Sequence, residues 1–83
     1  MIYVVAYDIE DDKRRRLISE ILEEYGVRVN YSVFEIEINK KELENLIVKI
    51  DKVLKNRDNV RFYNLNKDTM KKSFVIGKEK IIN

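Results

Sequence analysis

The segment Ile2 to Asp8, IYVVAYD, is apolar at both alternating sets of positions, Ile2, Val4 and Ala6 on one parity and Tyr3, Val5 and Tyr7 on the other. β-Branched and aromatic residues suit a pleated strand, and a strand apolar on both sides belongs in the middle of a sheet whose two faces are covered. This constrains the whole chain. Its 83 residues can supply one covering layer of helices, and a chain of this size buries only about 60 to 65% of its unfolded surface. The second face therefore calls for another copy of the chain.

The remaining pattern agrees. Asp11 and Asp12 offer N-cap chemistry for a helix whose apolar stripe is Leu17, Ile18, Ile21, Leu22 and Tyr25, with Gly26 expected as its stop. Val27 to Ile38 reads as two strands bent near Asn30 to Ser32, with Phe34, Ile36 and Ile38 alternating against Glu35 and Glu37. Asn39 caps a second helix carrying Leu43, Leu46, Ile47, Ile50, Val53 and Leu54, which ends in the polar stretch Asn56 to Asn59. Val60 to Leu65 is a further strand. After the polar residues Asn66 to Thr69, the segment Ser73, Phe74, Val75 and Ile76 is expected as an extra strand closed by Gly77. The order β-α-β-β-α-β predicts an α+β, ferredoxin-like antiparallel sheet with an extra C-terminal strand, and a homodimer with sheets packed face to face. One domain over residues 1–77 and a basic tail over 78–83 with Lys78 and Lys80 complete the expected organisation. Met1 leads straight into the first strand, and no stretch approaches the roughly 18 apolar residues of a membrane span. A cytoplasmic protein with no membrane partner is expected.

The available chemistry is narrow. The sequence holds no cysteine and no histidine, which removes thiolate chemistry, the commonest general base and the commonest transition-metal ligand. A metal would have to be a hard cation such as magnesium on oxygen ligands, and an acid or base would have to be Asp, Glu, Lys or Tyr. Lys and Arg total 17 against 15 for Asp and Glu, so any electrostatic argument must be local.

Asp8 is the acid at the end of the predicted central strand, on the parity of Ile2, Val4 and Ala6. Its plainer role is to cap the strand-helix turn or pair with an arginine. Its functional role is to hold a hard cation, and a two-fold axis would supply two such carboxylates from one position. Glu10, Asp11 and Asp12 read as turn and cap residues. Lys13, Arg14, Arg15 and Arg16 stand in the first helical turn, where cations oppose the helix dipole. They read either as a solvated helix end with local Asp–Arg pairs or as a phosphate-holding patch, with Arg14 placed to reach back toward Asp8. Arg28 adds to that patch. Tyr7, Tyr25 and Tyr31 offer either core packing or base-stacking surfaces. Ser32 has no His or neighbouring Lys to activate it as a nucleophile.

VVAYDIEDDKRRR, followed by YGVRVNYSVFEIEI, VRFYNL and a terminal VIG, resembles the CRISPR-associated protein 2 family, and the resemblance spans nearly the whole chain. Its most specific parts are Tyr7-Asp8-Ile9 and the segment Arg28 to Glu35. It implies a homodimer in which Ser73 to Ile76 joins the partner's sheet, with Asp8 binding magnesium near the two-fold and serving as the catalytic carboxylate. It also implies functional roles for Tyr7, Arg15, Arg28, Ser32 and Phe34. Asn30 departs from the family, which commonly has glutamine there. The resemblance implies two activities: bridging the CRISPR integrase, as one dimer between two integrase dimers, while holding prespacer DNA, and metal-dependent cleavage of single-stranded RNA or double-stranded DNA. The sparse acid set favours the first as the main role. A toxin-like ribonuclease of the virulence-associated protein D type is the rival reading, and a small-molecule regulatory domain of the same fold is a third.

Overall fold

The computed structural model describes residues 1–77, and the expected tail 78–83 lies outside the described residues. The chain runs β1 (Ile2–Asp8), α1 (Asp12–Glu23), β2 (Gly26–Asn30), β3 (Val33–Glu37), α2 (Lys40–Asp51), β4 (Asn59–Leu65) and α3 (Lys67–Lys72). The four strands form one antiparallel sheet in the order β2-β3-β1-β4. As the apolar pattern requires, β1 is central, paired with β3 on one side and β4 on the other.

Val5 and Tyr7 of β1 are buried with Phe34 and Ile36 of β3, Ile18 and Leu22 of α1, and Leu46 and Ile50 of α2. The two helices thus cover one face. Ile2, Val4 and Ala6 lie on the opposite, open face and are half-buried. That face also carries the charged side chains Glu35, Glu37 and Arg61, which the register places opposite Val4, Ile2 and Ala6. It is less apolar than the alternation of β1 alone suggests.

Local chemistry accounts for the helix starts. The Asp11 carboxylate accepts from the Arg14 backbone N–H at 2.8 Å. Asn39 and Glu42 form a reciprocal capping box at the start of α2. A third helix, α3, starts where the sequence pattern predicts only a polar loop. Asn66 accepts from the Thr69 N–H at 2.8 Å, and Thr69 Oγ1 accepts from the Asn66 N–H at 2.9 Å.

Two expectations change. Gly26 does not end α1 in a left-handed turn, since the helix closes on the right-handed Glu24. Gly26 opens β2, where a Cβ would lie 2.1 Å from the Glu35 carbonyl oxygen and 2.5 Å from Ile36 Cγ2. Its constraint is close approach of two strands. Ser73 to Ile76 form no strand within the described chain. Ser73 is already extended (φ −85°, ψ 140°), and Phe74 and Ile76 are 80% and 90% exposed. A strand exists only where it bonds to a neighbouring edge, and this segment pairs with neither edge of the chain's own sheet, β2 or β4.

Gly26→Ala is expected to lower stability by about 1 to 3 kcal/mol, because backbone on β3 must move to admit the methyl. Thermal unfolding followed by circular dichroism measures this, and an unchanged midpoint would show that the β2–β3 pair can separate at no cost.

Candidate functional site

Asp8 is the last residue of β1, paired in register with Asn59, the first residue of β4. Its carboxylate is exposed and makes no hydrogen bond or ion pair among the described residues. The strand end that carries it is held rigidly. The Tyr7 N–H donates to the Ser32 carbonyl at 3.1 Å, and the buried Tyr7 hydroxyl donates to the Tyr31 carbonyl at 3.0 Å. Tyr7 therefore welds β1 to the β2–β3 turn, and its ring lies 6.3 Å from that of the fully buried Phe34.

This turn and the start of α1 enclose a cleft of about 500 Å³ lined by Tyr7, Asp8, Arg15, Arg16, Arg28 and Ser32, among others. Six of the sequence-predicted site residues thus meet in one place. Phe34 lies beneath them as core, and Lys13 and Arg14 lie outside. Asp8 also borders a second cleft of about 540 Å³, with Glu10, Arg14, Asn56, Arg57 and Asp58, so it stands on the ridge between the two.

The arginines divide sharply. Arg14 does not reach toward Asp8: it donates to both carboxylate oxygens of Asp58, at 2.7 and 3.3 Å. Asp58 is the stronger attraction because its side chain is only 5% exposed and needs a cation. Arg15 clamps the β1–α1 loop, donating to the carbonyls of Ile9 (3.0 Å) and Glu10 (3.1 Å) and pairing with Asp12. Arg28 crosses the sheet edge to bond Ser19 and Glu23 of α1 and the Tyr31 carbonyl, with its guanidinium 5.3 Å from the centre of the Phe34 ring. Arg16 is exposed and only loosely paired with Glu20 at 3.9 Å, and Lys13 is exposed with no ion-pair partner among the described residues. These two are the cations of the run least committed to partners within the described residues.

Three participants are not evident from the sequence pattern. Ser19 is buried in the α1 stripe between Ile18 and Leu22 and receives Arg28; a polar residue at an apolar spacing is the available signal. Asp58 carries no signal, since its partner lies 44 positions away. Arg61, cross-strand from Ala6, shares the open face with Asp8. The Tyr63 hydroxyl and, less strongly, the Asp8 charge favour its protonated form. Asn30, the departure from the family pattern, accepts from the Tyr31 N–H at 2.8 Å and so has a local role in the turn.

The family model described as CRISPR associated protein Cas2 matches residues 1–73. A relative from Synechocystis sp. named CRISPR-associated endoribonuclease Cas2 3 is 43% identical over 70 residues, covering 83% of this chain and 76% of its own length. The crystal structure of Streptococcus pyogenes Cas2 at pH 6.5 superposes with a TM-score of 0.82 at 28% identity, covering 93% of this chain and all of the other. A chain of a partial Cas6-RT-Cas1–Cas2 complex superposes with a TM-score of 0.79 at 40% identity, covering 90% of this chain and 83% of that one.

The Arg14 guanidinium, followed by the Lys55 backbone N–H, holds the Asp58 carboxyl below its ordinary value. A carboxylate with a depressed folded value contributes stability that is complete above its unfolded value and lost as the pH falls through the folded one. Asp58→Asn is therefore expected to melt below the parent protein at neutral pH, with the gap narrowing once the pH drops under about 4. A gap that stays constant down to about pH 2 would place the stabilisation elsewhere.

Proposed function

The chain belongs to the CRISPR-associated protein Cas2 family, and from that premise we propose that it acts in spacer acquisition, as a homodimer that bridges the CRISPR integrase and holds prespacer DNA. Cleavage of phosphodiesters is proposed as a second activity of the same site. The observation that carries the order of these roles is the commitment of the acids around Asp8: Asp12 is paired with Arg15, Glu23 with Arg28 and Asp58 with Arg14. A general base is thus scarce, whereas holding a strand needs only cations and a firm surface. The relative's endoribonuclease name supports the second activity, and the neighbour in a Cas1–Cas2 complex supports the first.

The residues fit a hard divalent cation. Asp8 presents an exposed carboxylate that makes no hydrogen bond or ion pair among the described residues, with Arg61 as the cation that shares its face, and magnesium keeps several waters while taking one or two carboxylates and substrate oxygens. Packing of two open faces about a two-fold would bring a second Asp8. Bound there, magnesium would act as a Lewis acid on a phosphoryl oxygen. Tyr7 fixes the strand end that presents the carboxylate, Arg15 and Arg28 hold the cleft walls, and Ser32 offers a hydroxyl at its rim. The exposed Ser73, Phe74, Val75 and Ile76 are proposed to complete the partner's sheet at its β4 edge.

Asp8→Asn is expected to abolish magnesium-dependent cleavage of RNA and DNA while leaving capture of the cognate integrase in a pull-down intact. Turnover equal to that of the parent would remove Asp8 from the metal site, and loss of the integrase would tie the carboxylate to assembly. Lys13→Ala with Arg16→Ala is expected to flatten the salt dependence of DNA affinity, by about 0.9 in log-log slope for each phosphate the variant no longer neutralises. Arg28→Ala is expected mainly to lower the melting temperature. If Arg28→Ala alone flattened the slope, the phosphates would be held by the cleft wall.

A further inference from the structure

Tyr31 stands at the β2–β3 turn as a residue 76% exposed, yet its backbone is held by three hydrogen bonds. Its carbonyl accepts from the buried Tyr7 hydroxyl at 3.0 Å and from Arg28 at 3.4 Å, and its N–H donates to Asn30 at 2.8 Å. Tight turns favour residues such as Gly, Asn, Asp and Ser for backbone reasons, and an aromatic ring adds nothing to such a turn. Nor does the ring pack in the core, which is complete without it. It lines the same cleft as Asp8, Arg15, Arg16 and Ser32.

We propose that Tyr31 is a stacking platform that seats one unpaired base of a single-stranded polynucleotide beside Asp8. The inference rests on the nucleic-acid role proposed above and deepens it by naming the residue that seats a base of the strand. Three features converge. Base stacking needs an accessible flat aromatic face, and the three main-chain bonds fix the backbone that carries this ring while leaving the ring open. The cleft, at about 500 Å³, is on the scale of a small-ligand site rather than a duplex groove. Of the three arginines that line the cleft, Arg15 and Arg28 are already engaged within the chain and Arg16 alone is loosely paired, so phosphate contacts at this spot are few and affinity must come partly from another source. A base inside a duplex has both faces covered by its neighbours, whereas an unpaired one can turn a face to the ring. Stacking is indifferent to the sugar, so RNA and DNA are the two sources of the same ligand.

The test measures dissociation constants of the full chain, with magnesium present, for a short single strand of RNA, the same sequence as DNA, and the blunt duplex. Tyr31→Ala is expected to weaken single-strand binding about five-fold or more, to leave duplex binding within about two-fold, and to leave the salt slope unchanged. Tyr31→Phe, which keeps the face and loses the hydroxyl, is expected to bind like the parent. The single strand that the parent binds more tightly identifies the preferred sugar. The inference is overturned if Tyr31→Ala binds single strands as the parent does, or weakens strand and duplex alike with a flatter salt slope. It is also overturned if Tyr31→Ala disrupts the oligomeric state in sedimentation, which would assign the ring to a protein interface. A parent protein that binds neither strand nor duplex would sink the nucleic-acid reading along with this one, whereas a parent that binds and a neutral Tyr31→Ala would remove this inference alone.

Discussion

Pairing of β1 on both flanks is the constraint on which the site depends. Val5 faces Phe34 on β3 and Phe62 on β4, so the strand is fixed by two ladders and by the burial of Val5 and Tyr7 beneath the helices. A strand held in this way can carry an exposed carboxylate at its end without fraying. Tyr7 extends that rigidity past the ladder, since its N–H and its hydroxyl reach successive carbonyls of the β2–β3 turn. Asp8, Ser32 and Tyr31 are consequently held by the same anchor, and a shift in any one would be transmitted to the others.

Four cations at the start of α1 oppose its dipole, and the structure shows how the helix accommodates them. Asp11 caps the first turn, Asp12 pairs with Arg15, and Asp58 arrives from the loop before β4 to take Arg14. The run is therefore mostly internal adhesive between the start of α1, the β1–α1 loop and the α2–β4 loop. What reads in sequence as a patch of positive charge has, around Asp8, a much smaller unpaired charge. Lys13 and Arg16 carry what remains for a partner, and both project from exposed positions on the helix.

The elements whose stability comes from local pattern are legible in the sequence. The parity of β1, the stripe of α1 and the Asn39 cap each depend on residues within a few positions of one another, and the structure agrees with the sequence at all three. The length of the run Val27 to Ile38, too long for one strand of a small domain, also makes the bend at Asn30 to Ser32 visible despite its lack of glycine and proline. Where the decisive contact is distant, local pattern misleads. It directs Arg14 toward Asp8 because the buried Asp58 lies far along the chain, and it makes Gly26 a helix stop because the Glu35 carbonyl that excludes a side chain belongs to another strand. The segment Lys67–Lys72 looks like loop because all its residues but Met70 are polar, although Asn66 and Thr69 form a complete capping box. The strand expected at Ser73 to Ile76 is a different case. Its apolar side chains Phe74, Val75 and Ile76 are left exposed, without cover from the described chain.

The balance between holding and cutting follows from which acids are already engaged. A buried carboxylate paired with a half-buried arginine is costly to part, because each charge left behind loses its partner in a poorly solvated place. Asp58 is held in this way by Arg14, while the more exposed Asp12 and Glu23 neutralise the two arginines that hold the cleft walls. Recruiting any of them as a base would loosen the walls that position the strand. Asp8 and Glu10 remain, the first on the ridge between two clefts and the second beside the outer one. In the proposed role, Asp8 would hold a cation able to bind a phosphate, while the firm turn beside it would present the Tyr31 face to the adjoining base. That combination fixes a strand at two points with little demand on acid–base chemistry. Any cleavage would have to draw its nucleophile's activation from the metal-bound side, so one carboxylate can serve a scaffold first and a nuclease second.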